Sequence, residues 1–294
     1  MQTRAVHALS VLLACIRFDE VLILQGSPLL GALYAMPAPR LAAWRPLLLL
    51  AAGGVSLVAH IFVLNDWAGM EGDLRDPNRA SSVFSRRGIA RKTAGFLWIA
   101  LLAMSLALLA PLGIRTLVIS TAIAGLSALY SFPGAHMKGV PVLNSLLHFT
   151  GGLLHFLLGY SVFRELDARG AAIGCFFALV FVAGHLVHET RDSEPDLANG
   201  ISTNAVRFGQ RRSFIAGMVS FTVADALLAV LAMAGVVPRV LVLIVPASLI
   251  RLYWSVKTLR AGLRFANIRW LQARYRLLYA VVGAVMALTM LAGF

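Results

Sequence analysis

Nine runs of apolar residues, each long enough to cross a lipid bilayer as a helix, most constrain what this chain can fold into. A helix rises about 1.5 Å per residue, so roughly 20 apolar residues cover the hydrocarbon core. Only 13% of the 294 residues are charged, and the mean hydropathy is +0.81. This composition is typical of membrane proteins. It predicts an all-α polytopic membrane protein, a single domain over residues 1–294 with nine transmembrane helices.

The basic residues indicate the orientation of these spans. When the residues inside a span are assigned to the nearest loop, 20 of the 26 Lys and Arg residues belong to the N-terminal segment or to the loops after the even-numbered spans. By the positive-inside rule, the N-terminus then lies in the cytoplasm of an integral membrane protein, which we expect in a bacterial inner membrane. The +13 net charge is spread over loops without interleaved aromatic residues, so we expect no nucleic acid partner. The predicted spans are residues 17–36, 44–66, 93–112, 114–131, 141–163, 171–189, 213–236, 238–256 and 273–293.

Eight of the 13 carboxylates are concentrated in two segments, each just after an apolar run. The first acidic cluster, residues 65–76, contains Asp66, Glu71, Asp73 and Asp76, and the second acidic cluster, residues 189–196, contains Glu189, Asp192, Glu194 and Asp196. Carboxylates in an apolar protein are costly and repel one another, so a bound divalent cation is the simplest reason for both. An even number of spans separates them, so we expect both on the cytoplasmic face, under a cap of long polar loops. The alternative is solvated loop charge that balances nearby arginines.

The spacing within the clusters suits magnesium. Glu189, Asp192 and Asp196 follow at i, i+3 and i+7, which places three carboxylates along one stripe of a helix. Mg²⁺ typically takes one or two carboxylates together with substrate phosphate oxygens, so this stripe favours a metal-bridged diphosphate. Asp66 and Asp73 repeat the outer spacing, but Gly69 stands where the middle carboxylate is expected.

Other polar residues are less decisive. Residues 130–133 read Tyr-Ser-Phe-Pro and lead to Lys138, whose charge and hydroxyl neighbours could bind diphosphate oxygens or simply mark the membrane interface. His148 and His155 share a helical face. They form a proton relay or a metal pair, or they are ordinary interior residues with hydrogen-bond partners. Asp225 lies within a span and is either functional or structurally paired. Cys15 and Cys175 are expected to be packed, without disulfide or metal.

At these residues the chain resembles the UbiA superfamily of intramembrane prenyltransferases. The signatures of that family are N-D-x-x-D-x-x-x-D after the second helix and D-x-x-D-x-x-x-D after the sixth. Here residues 65–73 read N-D-W-A-G-M-E-G-D, and residues 189–196 read E-T-R-D-S-E-P-D. The Tyr130 to Lys138 stretch is similar to the family's Y-S-x-P loop. The resemblance implies a UbiA-like bundle of nine helices, in which two Mg²⁺ ions bind an isoprenyl diphosphate.

The resemblance also assigns roles to residues of this sequence. It implies metal ligation by Asn65, Asp66, Asp73, Glu189, Asp192 and Asp196, of which Asp66, Asp73, Asp192 and Asp196 are the catalytic aspartates. The substrate-binding set is Arg17, Asn65, Tyr130, Ser131, Lys138 and Arg79 of the basic loop. The chain departs from the family at Gly69, at Glu189, and at Ser82-Val83 in place of Arg-Pro. Glu71 resembles an E-x-D variant that offers a compensating carboxylate.

The leading hypothesis is Mg²⁺-dependent transfer of an isoprenyl group from a polyprenyl diphosphate to a small cyclic acceptor, aromatic or quinone-precursor-like, within the membrane. Trp67, Tyr130, Phe132 and Tyr160 are candidate aromatic faces for the carbocation. The departures leave a terpene cyclase or transfer to a phosphoribosyl-type acceptor open. A non-catalytic scaffold or transporter is a further alternative. The acceptor and the prenyl chain length depend on cavity shape, which residue types do not give.

Overall fold

Helices account for every regular element in the part of the chain that the structure describes. This computed structural model describes residues 13–37, 43–76 and 80–293, and contains no strand in those ranges. The all-α prediction is therefore confirmed. The helices are α1 Phe18–Leu24, α2 Gly26–Ala35, α3 Trp44–Asp73, α4 Arg91–Leu109, α5 Ile114–Ser131, α6 Leu143–Tyr160, α7 Ala168–Ala198, α8 Asn204–Phe208, α9 Gln210–Met233, α10 Ile244–Ala261 and α11 Phe265–Leu291.

Seven helices in the described ranges are long and apolar enough to cross a membrane. They are α3, α4 with the turn that follows it, α5, α7, α9, α10 with the turn that precedes it, and α11. The two other predicted spans correspond to the pair α1 and α2 and to α6. Helix α6 carries Asn144, His148 and His155, which reduce its apolar character. The count of nine spans, and a cap over one face, stay predictions.

The predicted span 17–36 is interrupted at Gln25, where α1 ends. The Gln25 amide donates to the Val21 carbonyl oxygen at 3.0 Å, and Gly26 opens α2. Gly54 on α3 makes room for this side chain, because a Cβ there would lie 2.4 Å from Gln25 Oε1. At the break, the buried Gln25 amide nitrogen thus has a backbone partner.

One compact unit comprises residues 1–29 and 40–137. Within its described part, α3 packs against α4, α5 and α1. The α3–α4 contact is close because a Cβ on Gly53 would lie 2.6 Å from Leu109 Cγ, and Ser105 Oγ donates to the Gly53 carbonyl oxygen at 2.9 Å. Cys15 is a free, buried thiol in this core.

The second compact unit comprises residues 30–39 and 138–294. Helix α7 packs here against α6 and α9. Small residues let the backbones approach: a Cβ on Gly152 would lie 3.0 Å from Ala178 Cα, and one on Gly217 would lie 3.2 Å from the Ala183 carbonyl oxygen. Cys175 is free and partly exposed, so its predicted packing is only partial.

Two helices continue beyond their predicted spans into the acidic clusters. Helix α3 passes Asp66 and ends at Asp73, and α7 passes Glu189 and ends at Ala198. The long polar loops that we expected to follow these spans at about residues 67 and 190 begin only after Asp73 and Ala198, while the helix through Glu189, Asp192 and Asp196 that their spacing predicted is present. An apolar-to-polar transition ends the hydrophobic stretch but not the helix, because helix propensity does not require apolar residues.

Candidate active site

The first acidic cluster occupies the last turns of α3 up to Asp73, and its last member, Asp76, follows the helix and is buried. Asn65, Asp66 and Asp73 are all half-buried there. The C-terminal end of a helix carries partial negative charge, so carboxylates at this end are unfavourable without a cation. The helix geometry therefore strengthens the case for cationic partners at this cluster.

Arg17 supplies one such cation. Its guanidinium binds the Asp66 carboxylate with both arms, Nε to Oδ2 at 3.0 Å and Nη2 to Oδ1 at 2.5 Å. The same guanidinium lies 5.4 Å from the ring centre of Phe62. Arg17 has a positive φ of 52°, a conformation that a bulky side chain adopts only when its surroundings hold it. The fork to Asp66 is such a restraint.

The Tyr-Ser pair belongs to the end of α5 and not to a loop as the sequence suggested. Ser131, the last residue of α5, is buried, and its Oγ donates to Asn65 Oδ1 at 3.4 Å. Tyr130 is half-buried one residue earlier. Phe132 follows and stacks on Trp67, with ring centres 6.4 Å apart. The structure thus brings Asn65 and Ser131 together, with an aromatic pair beside them.

Gly69 leaves space at the position of the missing carboxylate. It is exposed, and a Cβ there would lie 3.6 Å from Asp73 Oδ2, an ordinary contact distance. Glu71 is 78% exposed and pairs with Arg91 at 3.0 Å. Its carboxylate is thus on the solvent side of α3, as expected from its place on the helix, which gives no support to the compensating role.

The second acidic cluster occupies the last turns of α7 and is buried. Glu189, Asp192 and Asp196 are 5%, 8% and 6% exposed, whereas Glu194 is exposed. Arg191 binds Asp192 with both arms, Nε to Oδ1 at 2.6 Å and Nη2 to Oδ2 at 2.9 Å. The predicted stripe of three carboxylates on one face is therefore present.

Lys138 contacts this cluster. Its Nζ lies 3.5 Å from Asp196 Oδ1, and the residue sits in a short 3-10 turn, Met137–Gly139, just before α6. The sequence predicted Lys138 as a substrate-binding cation on the face of the clusters. The contact with Asp196 places it beside a predicted metal ligand.

Sequence reasoning missed two asparagines in this unit. Asn144 Nδ2 donates to Glu189 Oε1 at 2.5 Å, and Asn204 Nδ2 donates to Glu189 Oε2 at 2.8 Å. An amide inside the apolar run of α6 was the available signal for Asn144. Nothing in the sequence pairs either residue with Glu189, because 45 and 15 residues separate them.

Asp225 has a structural partner. Arg251 Nη2 donates to its Oδ2 at 2.6 Å and Tyr279 OH donates to its Oδ1 at 2.8 Å, which joins α9, α10 and α11. His148 stacks on His185, with ring centres 3.6 Å apart, and its Nδ1 lies 2.8 Å from the Asn144 carbonyl oxygen. The structure therefore supports pairing for Asp225, and it places His148 beside His185 instead of His155.

The donor atoms are the oxygens that Mg²⁺ and other hard cations prefer. No group of three or more His, Cys, Asp and Glu residues in residues 13–37, 43–76 and 80–293 forms a preassembled metal site. The clusters instead offer carboxylate and amide oxygens in small sets, which suits an ion that keeps several waters and takes substrate phosphate oxygens. Arg79, predicted to bind substrate, lies outside the described residues.

Long apolar helices that end in clusters of acidic residues are typical of a membrane-embedded protein that binds cations or a metal-bound anion at its helix ends. The model of the UbiA prenyltransferase family matches residues 26–275, and the chain belongs to that family. A search of curated proteins finds no match.

Solved structures share this fold. A UbiA homolog from Archaeoglobus fulgidus bound to DMAPP and Mg²⁺ gives a TM-score of 0.75 at 17% identity, covering 96% of this chain and 99% of that chain. The same homolog bound to GPP and Mg²⁺ gives 0.73 at 18% identity, covering 95% and 99%. A structure of digeranylgeranylglyceryl phosphate synthase gives 0.72 at 17% identity, covering 97% and 99%. At these identities the likeness establishes the fold.

Proposed function

We propose that this protein transfers an isoprenyl group from an isoprenyl diphosphate to a small cyclic acceptor within the membrane, and that it requires Mg²⁺. The observation that carries the proposal is the position of both acidic clusters in the last turns of long apolar helices, each with a basic partner. Membership of the UbiA prenyltransferase family supports it. So does the binding of DMAPP or GPP with Mg²⁺ by the Archaeoglobus fulgidus homolog.

Each cluster contributes ligands for one of two ions in this proposal. Asp66 and Asp73, with Asn65, would hold one ion, and Asp192 and Asp196 would hold the other. Bound Mg²⁺ neutralises the negative charge of a diphosphate leaving group and so favours cleavage of the allylic C–O bond. The clusters' own role is to fix oxygen ligands at the ends of rigid helices, where little reorganisation is required.

Arg17 and Lys138 would bind diphosphate oxygens directly. Each lies against a cluster carboxylate, Asp66 or Asp196, at hydrogen-bond or ion-pair distance. A guanidinium presents two parallel donors and suits a bidentate contact, whereas an ammonium acts as a point charge. Ser131 and Tyr130 would add hydroxyl donors.

Trp67 and Phe132 would line the path of the isoprenyl chain beside the first cluster. Trp67 follows Asp66 directly, and its ring stacks on that of Phe132. An aromatic face stabilises a cation by roughly 0.5–2 kcal/mol, and it also excludes water that would quench an allylic carbocation. The acceptor is proposed to attack that carbon from within the apolar interior.

A direct assay tests this function. Purified protein is incubated with radiolabelled DMAPP, GPP or longer isoprenyl diphosphates, Mg²⁺ and a panel of aromatic and quinone-precursor acceptors. We expect labelled product and diphosphate release from the wild type. Loss of both in Asp192→Ala is expected, with Glu194→Ala as the matched control because Glu194 is exposed on the same turns of α7.

The assay also separates the alternatives. Release of diphosphate without acceptor, together with a hydrocarbon or terpenol, would replace the proposal with a terpene cyclase. If product forms only with a phosphoribosyl acceptor, the proposed cyclic acceptor is wrong and a phosphoribosyl-type acceptor takes its place. If no isoprenyl diphosphate is consumed, and Mg²⁺ with diphosphate leaves the melting temperature unchanged, the protein is a scaffold or transporter.

The orientation is part of the proposal. The bias of basic residues supports a cytoplasmic N-terminus and cytoplasmic acidic clusters in a bacterial inner membrane. Reporter fusions after residues 74 and 200 are expected to be active only with a cytoplasmic reporter. Activity of a periplasmic reporter at either position would contradict it.

A further inference from the structure

Glu189 differs from the other carboxylates of the second acidic cluster in what surrounds it. Both of its oxygens accept hydrogen bonds from side-chain amides, Oε1 from Asn144 and Oε2 from Asn204. His185 Nε2 lies 3.3 Å from Oε1 as well. Asp192 and Asp196, in contrast, lie against the cationic side chains of Arg191 and Lys138.

The difference bears on metal binding. A metal ion can displace a guanidinium or ammonium from a carboxylate, because the doubly charged ion attracts the carboxylate more strongly than the singly charged side chain does. Neutral amides that already bond to each oxygen of a buried carboxylate are lost without a like-for-like replacement when a metal displaces them, which leaves polar groups unsatisfied. Glu189 is therefore the member of the stripe least free to bind a metal.

The two asparagines are themselves fixed. Asn204 Nδ2 also lies 2.7 Å from Asn144 Oδ1, and Asn204 Oδ1 accepts from the backbone N–H of Val142 at 2.7 Å. Asn144 Nδ2 lies 3.1 Å from the Lys138 carbonyl oxygen. The hydrogen bonds of Glu189 thus lead directly to the segment that carries Lys138.

That segment is strained. Val142 has a φ of 67°, and positive φ is costly for a β-branched residue such as valine. Strain of this kind persists only when the surrounding contacts over-determine the backbone. The Asn204 bond to the Val142 N–H is the side-chain contact made to the strained residue itself, alongside the backbone bond that the Leu146 N–H donates to the Val142 carbonyl oxygen, and Glu189 holds Asn204.

We infer that Glu189 is a positioning residue: through Asn144 and Asn204 it fixes the strained segment 138–142, so that Lys138 stays beside Asp196. This inference rests on the proposed function, and it gives Glu189 a role other than the metal ligation that the resemblance implies. It also gives a reason for glutamate at this place, because its extra methylene lets one carboxylate reach both amides.

The test exchanges donor and acceptor. Glu189→Gln places an amide nitrogen against one asparagine donor and so breaks one bond. Adding Asn204→Asp supplies a carboxylate acceptor for that nitrogen, and its other oxygen still accepts from Val142. We expect Glu189→Gln to lower kcat about tenfold with the Mg²⁺ half-saturation changed less than about twofold, since one hydrogen bond is lost. The Glu189→Gln and Asn204→Asp double variant is expected to recover part of this loss and not all of it, because the new carboxylate oxygen replaces the nitrogen that lies 2.7 Å from Asn144 Oδ1.

A metal-ligand role predicts a different pattern. Glu189→Gln would then raise the Mg²⁺ half-saturation about tenfold or more, as we expect for Asp192→Asn, and Asn204→Asp would not rescue any of the loss. That result would overturn the inference. Asn204→Ser, which leaves every carboxylate in place, is expected to lower kcat like Glu189→Gln, and Glu194→Gln is the exposed control on the same helix.

Hydrogen exchange of the metal-free protein provides a readout that needs no activity. Glu189→Gln and Asn204→Ser are expected to speed exchange of the amides in residues 138–142 about tenfold, while Asp192→Asn and Glu194→Gln leave it unchanged. Unchanged exchange in Glu189→Gln would refute the positioning role even in an active enzyme. If the wild type consumes no isoprenyl diphosphate, the proposed function fails, and the exchange data still decide whether Glu189 holds the segment.

Discussion

The two acidic clusters use the same place in a helix but differ in their surroundings. In the first cluster Asp66 and Asp73 are half-buried, Gly69 and Glu71 are exposed, and Asp76 is buried. The second cluster has three buried carboxylates, each bound by neighbouring side chains. Asp192 and Asp196 are thus less accessible to water than Asp66 and Asp73, which favours greater electrostatic preorganisation at the second cluster.

The difference suggests a division of labour. A buried, hydrogen-bonded ligand set keeps its geometry whether or not substrate is present, and it supplies the fixed part of the proposed site. A half-exposed pair such as Asp66 and Asp73, with Gly69 between them, leaves more of a metal's coordination to water and to the diphosphate. We expect the second cluster to contribute more to the rate and the first cluster to contribute more to the substrate requirement.

The largest expected effect comes from the second cluster. Asp192→Asn should lower the rate of diphosphate release about 10²–10³-fold, because a preorganised charge is lost and the Arg191 guanidinium is left unneutralised. Asp73→Asn, at a half-exposed position, should lower it only about tenfold, since water can replace the ligand. Single-turnover assays at saturating Mg²⁺ measure both rates. Equal losses would remove the proposed asymmetry.

The next effect separates the two basic residues. Arg17→Lys should raise the KM for the isoprenyl diphosphate about tenfold, because an ammonium cannot reproduce the two-armed contact that Arg17 makes. Lys138→Arg retains the charge at a point contact and should raise it about threefold or less. Steady-state kinetics with GPP provide the comparison. A larger KM change in Lys138→Arg would reverse the assignment of substrate binding to the first cluster.

Restoring a carboxylate at Gly69 should make the first cluster more like the second. A Cβ at Gly69 fits at 3.6 Å from Asp73 Oδ2, so Gly69→Asp is expected to lower the Mg²⁺ half-saturation about threefold. Gly69→Asn has the same shape without the charge and is the matched control. An Mg²⁺ titration of diphosphate release decides. A higher half-saturation in Gly69→Asp would show that Gly69 is required as it stands.

The smallest effect concerns the opposite end of α7. Asp167 directly precedes this helix, and its carboxylate accepts a hydrogen bond from the Gly170 N–H. This bond lowers the pKa of the Asp167 carboxyl below its ordinary value. The stability it contributes is therefore present above the ordinary pKa and lost as pH falls through the lowered one. Asp167→Ala should cost roughly 0.5–2 kcal/mol as a lost helix cap, while Asp167→Asn keeps a cap but removes the pH dependence.

Melting temperatures from pH 3 to pH 7, with and without Mg²⁺, test this contrast within one helix. Asp167 is favourable at the positive end of the α7 dipole, so its effect should not depend on Mg²⁺. Asp192 lies at the negative end, where a cation is required, so Asp192→Asn should reduce the gain in melting temperature that Mg²⁺ with inorganic pyrophosphate gives. A gain in Asp192→Asn equal to that of the wild type would count against a metal at the second cluster.

The sequence predicted the elements that depend on neighbouring residues. The span 114–131 coincides with α5, and the i, i+3, i+7 spacing placed three carboxylates on one face of α7. Helix periodicity and hydropathy are local properties, so one sequence is enough to read them. The two acidic motifs and Lys138 between them are also local sequence patterns, and they carry the resemblance to the family.

What escaped prediction depends on residues far apart in the chain. The break at Gln25 is accommodated by Gly54, and the hydrogen bonds of Glu189 come from Asn144 and Asn204. Such contacts form only when helices pack together, so no periodic pattern in the sequence predicts them. The partner of Asp225 had the same character, since 26 residues separate it from Arg251.

The length of α3 has a consequence for how an amphiphile would be handled. Its 30 residues extend about 45 Å, more than the roughly 30 Å of hydrocarbon in a bilayer. Helix α3 is therefore long enough to contact both the hydrocarbon core and the hydrated headgroup layer. Such a helix can contact the apolar chain of an amphiphile within the hydrocarbon core and its ionic headgroup within the headgroup layer. The amphiphile then binds without leaving the bilayer.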